Sequence, residues 1–97
     1  EKTKVDGGIV DAAIKTKAGI EIYEIKTNPT AKDSIREAFG QLMEYAFYAE
    51  GVKISKLVVV GNNKPKAKDL RYIDRLRKVV KVDLEYWEFS ISKVRTY

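Results

Sequence analysis

The run Lys56-Leu57-Val58-Val59-Val60 is the segment that most limits how this chain can fold. Its apolar residues are consecutive rather than alternating, which suits a central strand covered on both faces. Helical patterns stand on either side of it. Upstream, Ile35, Ala38, Phe39, Leu42, Ala46 and Ala49 form one apolar face. Asp33 or Ser34 can cap that helix, with Glu37 three residues after Ser34 as in a capping box. It should stop at Gly51, after about Glu50. Downstream, a second helix is expected over about 67–80, with Leu70, Ile73, Leu76 and Val80 facing the core. After it, Val82, Leu84 and Tyr86 alternate with Asp83 and Glu85, the period of a last strand over about 82–89.

The first quarter of the chain reads as β-structure. Strands are expected at about 9–15 and 20–26, joined by Thr16-Lys17-Ala18-Gly19, with Gly19 free to take a positive φ. A short edge strand over Lys2–Val5 and a turn at Asp6-Gly7-Gly8 precede them. Thr27-Asn28-Pro29-Thr30 and Gly61-Asn62-Asn63-Lys64-Pro65 are loops, since proline disfavours helix at the residue before it. The resulting β-β-β-α-β-α-β order predicts one α/β domain, a mixed β-sheet flanked by helices.

Composition narrows the chemistry. Ninety-seven residues suffice for one modest core. The chain has no Cys and no His. That excludes disulfides, thiolate metal sites, the usual zinc catalysis and a Ser-His triad. Any catalysis falls to carboxylates, Lys, Tyr and a hard metal such as magnesium. With no apolar run of transmembrane length and no signal-peptide pattern, no membrane partner and a cytoplasmic location are expected. The chain starts at Glu1 rather than Met, as a piece of a longer protein would.

Charge is uneven. Residues 1–50 hold 7 Lys and Arg against 9 Asp and Glu, and residues 51–97 hold 12 against 5. An acidic, metal-suited half beside a basic, polyanion-suited half favours a nucleic-acid partner, although +5 overall also serves solubility.

The hairpin carries charge where a buried strand should carry none. Asp11 interrupts Ile9–Ile14, and Ile20, Ile22, Glu24 and Lys26 share one face of the second strand. If Lys15 pairs with Ile20, Asp11 falls opposite Glu24, with Cβ atoms roughly 5 Å apart. Such carboxylates repel unless a cation lies between them. Two carboxylates can hold a metal that polarises a phosphate, and the Ile25 carbonyl adds a third ligand. Lys26, one step further on that face, can orient water or offset developing charge. The pattern fits equally an edge hairpin with an ordinary Glu–Lys surface pair.

On the first helix, Gln41 and Tyr45 stand at i, i+4 on one face, with Glu37 and Tyr48 extending the stripe. They are either functional or a solvated face. Gly40 costs about 1 kcal/mol against Ala inside a helix, which suggests close packing or a ligand approach. On the second helix, Lys68, Arg71, Arg75 and Lys78 form one basic stripe that Lys64 and Lys66 prolong, offset in part by Asp69 and Asp74. Tyr86, Trp87 and Phe89 read mainly as packing, though an exposed Trp can stack on a base.

Together these residues resemble the PD-(D/E)xK nuclease superfamily, the restriction-endonuclease-like fold. Asp11 looks like the motif's Asp, Glu24 like its acidic partner and Lys26 like its Lys. Gln41 and Tyr45 are similar to the Gln-x-x-x-Tyr element of the RecB and lambda-exonuclease branch, which also follows the Glu-x-Lys strand on a helix. The resemblance covers about residues 9–60 by motif and the remainder by topology. It implies an endonuclease hydrolysing DNA with magnesium or manganese. Asp11, Glu24 and the Ile25 carbonyl would hold the metal, and Lys26, Gln41 and Tyr45 would serve catalysis. Lys64, Lys66, Lys68, Arg71, Arg75 and Lys78 would meet the nucleic acid. A homodimer would suit cutting of both strands. The alternatives are a binding module that kept the fold without turnover, or an accessory protein-interaction domain. The superfamily core opens with a helix that this chain has no room for. Either that helix lies outside these residues or the module is a reduced, inactive version.

Overall fold

A computed structural model of the protein describes residues 3–5, 8–48 and 50–97, with side chains from Asp11 onward except Ala49. Lys2, the Asp6-Gly7 turn and the placing of Ala49 on the apolar helix face lie outside the described residues. The elements run β1 (Thr3–Val5), β2 (Gly8–Val10), β3 (Ala12–Thr16), β4 (Gly19–Ile25), α1 (Ala31–Tyr48), β5 (Ile54–Gly61), α2 (Ala67–Val80), β6 (Asp83–Phe89) and β7 (Val94–Thr96). The fold is a small α/β domain. Its five-stranded mixed sheet has the order β3-β4-β5-β6-β7, and β1 and β2 form a separate antiparallel ribbon.

The outer pairs β3–β4 and β6–β7 are antiparallel, and β4–β5 and β5–β6 are parallel. Each parallel pair needs a crossover, and α1 and α2 supply them. Register places Ala13, Ile22, Leu57 and Leu84 on one face, followed by Val59 and Tyr86. Against that face pack Ile35, Ala38 and Leu42 of α1 and Ile73 of α2, all essentially buried. Both helices therefore cover the same side. β5 is central and covered on both faces as expected, but helices cover only one of them. On the far side Val58 is fully buried beneath Tyr23 and Trp87, whose rings meet edge-on at 5.3 Å. Trp87 also donates its indole N–H to Glu85 Oε1 at 2.8 Å, so it is committed to this packing rather than free to stack on a base.

Local chemistry moves several expected boundaries. The expected strand over 9–15 breaks at Asp11, whose carboxylate accepts the Ile25 N–H at 2.8 Å in place of a ladder bond. The cap of α1 is Thr30 rather than Asp33 or Ser34: Thr30 Oγ1 accepts the Asp33 N–H at 3.1 Å. Asp33 then sits in the first turn, where the helix dipole favours a negative charge. At α2, the Asp69 carboxylate accepts the Lys66 N–H at 2.8 Å. Asp69 thus serves as a cap rather than as an ion-pair partner of the basic stripe, while Asp74 does pair, with Lys78 at 3.4 Å and with Arg77 at 4.0 Å. The unanticipated β7 is three residues long, too short to show a period. Its place is fixed by the Ser90–Lys93 turn and by paired backbone bonds between Tyr86 and Tyr97.

Gly61 allows a close crossing. A Cβ there would overlap the Tyr86 hydroxyl and lie 2.9 Å from its ring. That hydroxyl donates to the Asn63 carbonyl at 2.6 Å, and the Asn63 side chain donates to the Asn28 carbonyl at 2.6 Å. The loops entering α1 and α2 are thereby tied together at the C-terminal edge of the parallel strands. Gly40 is different: among the described residues a Cβ there would meet nothing within 4 Å, so they show none of the close packing expected at Gly40.

Candidate functional site

Lys15 pairs with Ile20 as expected, and the ladder continues to Ala12 opposite Tyr23. One step further, Asp11 lies beside Glu24, though Asp11 has left the strand. Glu24 points to the helix-covered face and is 5% exposed. The Lys26 ammonium stands 3.6 Å from Glu24 Oε2. Glu24 Oε1 is buried without a hydrogen-bond partner among the described residues. A buried carboxylate oxygen in that condition costs free energy unless something else meets it.

Electrostatics follow from this placement. Burial pushes the Glu24 carboxyl above its ordinary value, and the charge of Asp11 pushes it further. Lys26 and a backbone hydrogen bond from Asp11 pull it partly back. The Ile25 side chain is exposed on the opposite face, so Ile25 can contribute only its backbone here. Asp11 and Glu24, with that carbonyl, are the groups able to hold a hard cation. Among the described residues no cluster of three or more Asp, Glu, Cys or His is placed to do so.

Helix geometry divides the remaining candidates. At 3.6 residues per turn, Gln41 lies about 140° around α1 from Arg36 and about 180° from Lys32. Lys32 and Arg36 face α2, while the opposite flank of α1 faces the β2–β3 side, where Asp11 lies. Gln41 is exposed on that flank. Tyr45 does not share its exposure. Four residues advance 400°, turning Tyr45 about 40° toward the core, where it is buried at 7% exposure. The stripe expected to run through Gln41, Tyr45, Tyr48 and Glu37 is therefore broken at Tyr45. Glu37 accepts a hydrogen bond from the Asn28 amide, and Tyr48 is exposed.

The basic residues gather elsewhere. A groove of about 500 Å³ between the N-terminal halves of the helices is lined by Lys32, Arg36, Lys68, Asp69, Arg71, Tyr72 and Arg75. It continues into a second hollow of about 480 Å³, which Lys64 and Lys66 also line. Lys78 is not among the lining residues and is paired with Asp74. Sequence reasoning missed Lys32 and Arg36. Their signal was available as cations at i, i+4 on α1, but only the neighbouring α2 gives that pair meaning. No helix among the described residues is long and apolar enough to cross a membrane. No protein-family model, curated protein or solved structure matches the chain.

Proposed function

We propose that this domain is a metal-dependent nuclease of the PD-(D/E)xK type that hydrolyses phosphodiester bonds in DNA. One observation carries the reading: Glu24 is buried with one oxygen unpartnered among the described residues, beside Asp11 and within reach of Lys26. An incidental surface pair would leave neither oxygen dry. The donor set also suits magnesium or manganese, since magnesium keeps several waters and takes only one or two carboxylates from the protein. Asp11 and Glu24 hold the ion, with the Ile25 carbonyl as the third protein donor. When bound, the ion supplies Lewis acidity to the phosphate and makes water a better nucleophile. Lys26 orients the attacking water and offsets charge developing on the phosphate. Gln41, on the same flank of α1, positions Lys26 or a phosphate oxygen. Tyr45 serves the packing of α1 rather than the reaction. In this reading the β2–β3/β4 hairpin, α1 and β5 are the nuclease core.

Thermal melts with and without millimolar manganese test it. An ion bound only by the folded state stabilises it by about 2.7 kcal/mol at a hundredfold excess over its dissociation constant. The wild type should melt higher with manganese and Glu24→Gln should not. An unchanged wild-type melt overturns the reading. A binding module without turnover is the second reading, favoured by the position of the basic groove on the flank of α1 away from the carboxylates. It predicts DNA binding with no manganese shift.

A further inference from the structure

We propose that the groove between α1 and α2 is a track for single-stranded nucleic acid. Phosphates would lie along Lys32, Arg36, Lys68, Arg71 and Arg75, with a base against Tyr72. The proposal rests on the reading that this domain's partner is nucleic acid, and it names the form of that partner.

Four observations converge. The five cations come from two helices and face one hollow of about 500 Å³, with Asp69 the only carboxylate among the described residues that line it. Among the described residues none of the five is in an ion pair, unlike Lys26, Lys56, Arg77 and Lys78. Cations held together without counter-charges repel one another, and an anion relieves that. The hollow runs from the N-terminal turns of both helices, which begin at Ala31 and Ala67, so both dipoles present their positive ends to one end of it. Tyr72 is 38% exposed in the same lining. An aromatic face beside a row of cations is the pattern that binds unpaired strands, whose bases are free to stack.

Access to the bases selects the strand. An unpaired strand can turn a base onto Tyr72, whereas a duplex keeps its bases inside and offers Tyr72 none. A strand leaving this groove continues along Lys64 and Lys66 beside Asn63, the residue that ties the loop after β5 to the loop after β4. The groove would hold a single-stranded stretch while the other flank of α1 meets the bond to be cut.

Fluorescence anisotropy in EDTA decides it, using oligothymidylate of about 16 nucleotides, the upper site size for a single small fold, and a duplex of equal length across a salt series. The single strand should bind tighter than the duplex. The double variant Lys32→Gln/Arg36→Gln should lower the slope of log affinity against log salt by about 1.4, at about 0.7 per lost single-strand contact. Tyr72→Ala should weaken binding about tenfold and Tyr72→Phe should restore it. Lys17→Gln, on the hairpin turn, should change neither. Equal affinity for the duplex, an unmoved slope, or competition by polyglutamate as strong as by the oligonucleotide overturns the proposal. Because EDTA removes any metal, these outcomes are independent of Asp11 and Glu24. Duplex binding with an unmoved slope sinks the groove alone, while no binding of either nucleic acid sinks the nucleic-acid reading with it.

Discussion

The two flanks of α1 handle charge in opposite ways. On the flank toward β3, a buried Glu24 stands between a half-buried Asp11 and a half-buried Lys26, and one Glu24 oxygen has no partner among the described residues. On the flank toward α2, five cations stand around an open groove with no ion-pair partners among the described residues. Burial makes the first set expensive and few in number, since desolvation penalises every charge there. Exposure makes the second set cheap and numerous, since water screens it. The contrast is that between a place suited to chemistry at one atom and a surface suited to holding a polymer.

The largest effect expected is on cleavage. Lys26→Ala should lower nicking of supercoiled plasmid in manganese by about 10²–10³, the usual cost of removing one preorganised charge-stabilising group. DNA affinity should stay within about twofold, because Lys26 belongs to the buried flank. The double variant Lys32→Gln/Arg36→Gln should do the reverse, weakening affinity while sparing the rate at saturating DNA. If Lys26→Ala costs as much affinity as the groove variant, the two flanks are one site and the comparison breaks.

Next comes the strut that joins them. Gly61→Ala would push into the Tyr86 ring, and overpacking of this kind costs about 1–3 kcal/mol. Tyr86→Phe keeps the ring and removes only its bond to Asn63, worth about 1 kcal/mol. Urea denaturation of both variants should rank Gly61→Ala as the more destabilising. The opposite ranking would mean that the hydroxyl, not the close crossing, holds the two loops together.

Gly40→Ala tests whether α1 keeps an opening for a ligand. Nothing among the described residues stands within 4 Å of the added methyl, so stability should rise by about 1 kcal/mol. Lost cleavage alongside gained stability would place substrate against that turn and sharpen the division between the flanks.

Much of this organisation was legible in the chain because it rests on periodicity. The α2 limits follow from a regular apolar spacing ending where Lys81 takes a left-handed conformation. The hairpin register follows from a loop whose length and glycine leave little choice. What stayed hidden depends on partners distant in sequence. Asp11 breaks its strand because the Ile25 N–H is there to be met. Tyr45 is buried because a helix face rotates by 40° over four residues, which an i, i+4 rule ignores. Lys32 and Arg36 gain meaning only once α2 lies beside α1, and nothing local in either helix says that both pack on one face of the sheet.

The smallest effect expected is the most diagnostic for the buried flank. In EDTA, Asp11→Asn should stabilise the protein by roughly 0.2–1 kcal/mol, the cost of like charges opposed on a sheet. The Asn oxygen can still accept the Ile25 N–H, so the variant removes charge and keeps the bond. This gain must depend on pH. The folded-state pKa of Glu24 is raised from its ordinary value of 4.5, so the folded protein holds that proton more tightly than the unfolded chain. The stability it contributes is fully present below 4.5 and is lost as pH rises through the raised value. Asp11 is the second cause of the rise, after burial. Replacing it brings Glu24 back toward its ordinary value, and the loss shrinks. The advantage of Asp11→Asn should therefore be largest at neutral pH and fade as pH falls below 4.5. With saturating magnesium the order should invert at neutral pH, because only the wild type retains both carboxylates. Paired urea curves in EDTA and in magnesium read this out. An Asp11→Asn protein that is less stable in EDTA at neutral pH would make Asp11 a structural acceptor and leave Glu24 without its companion ligand.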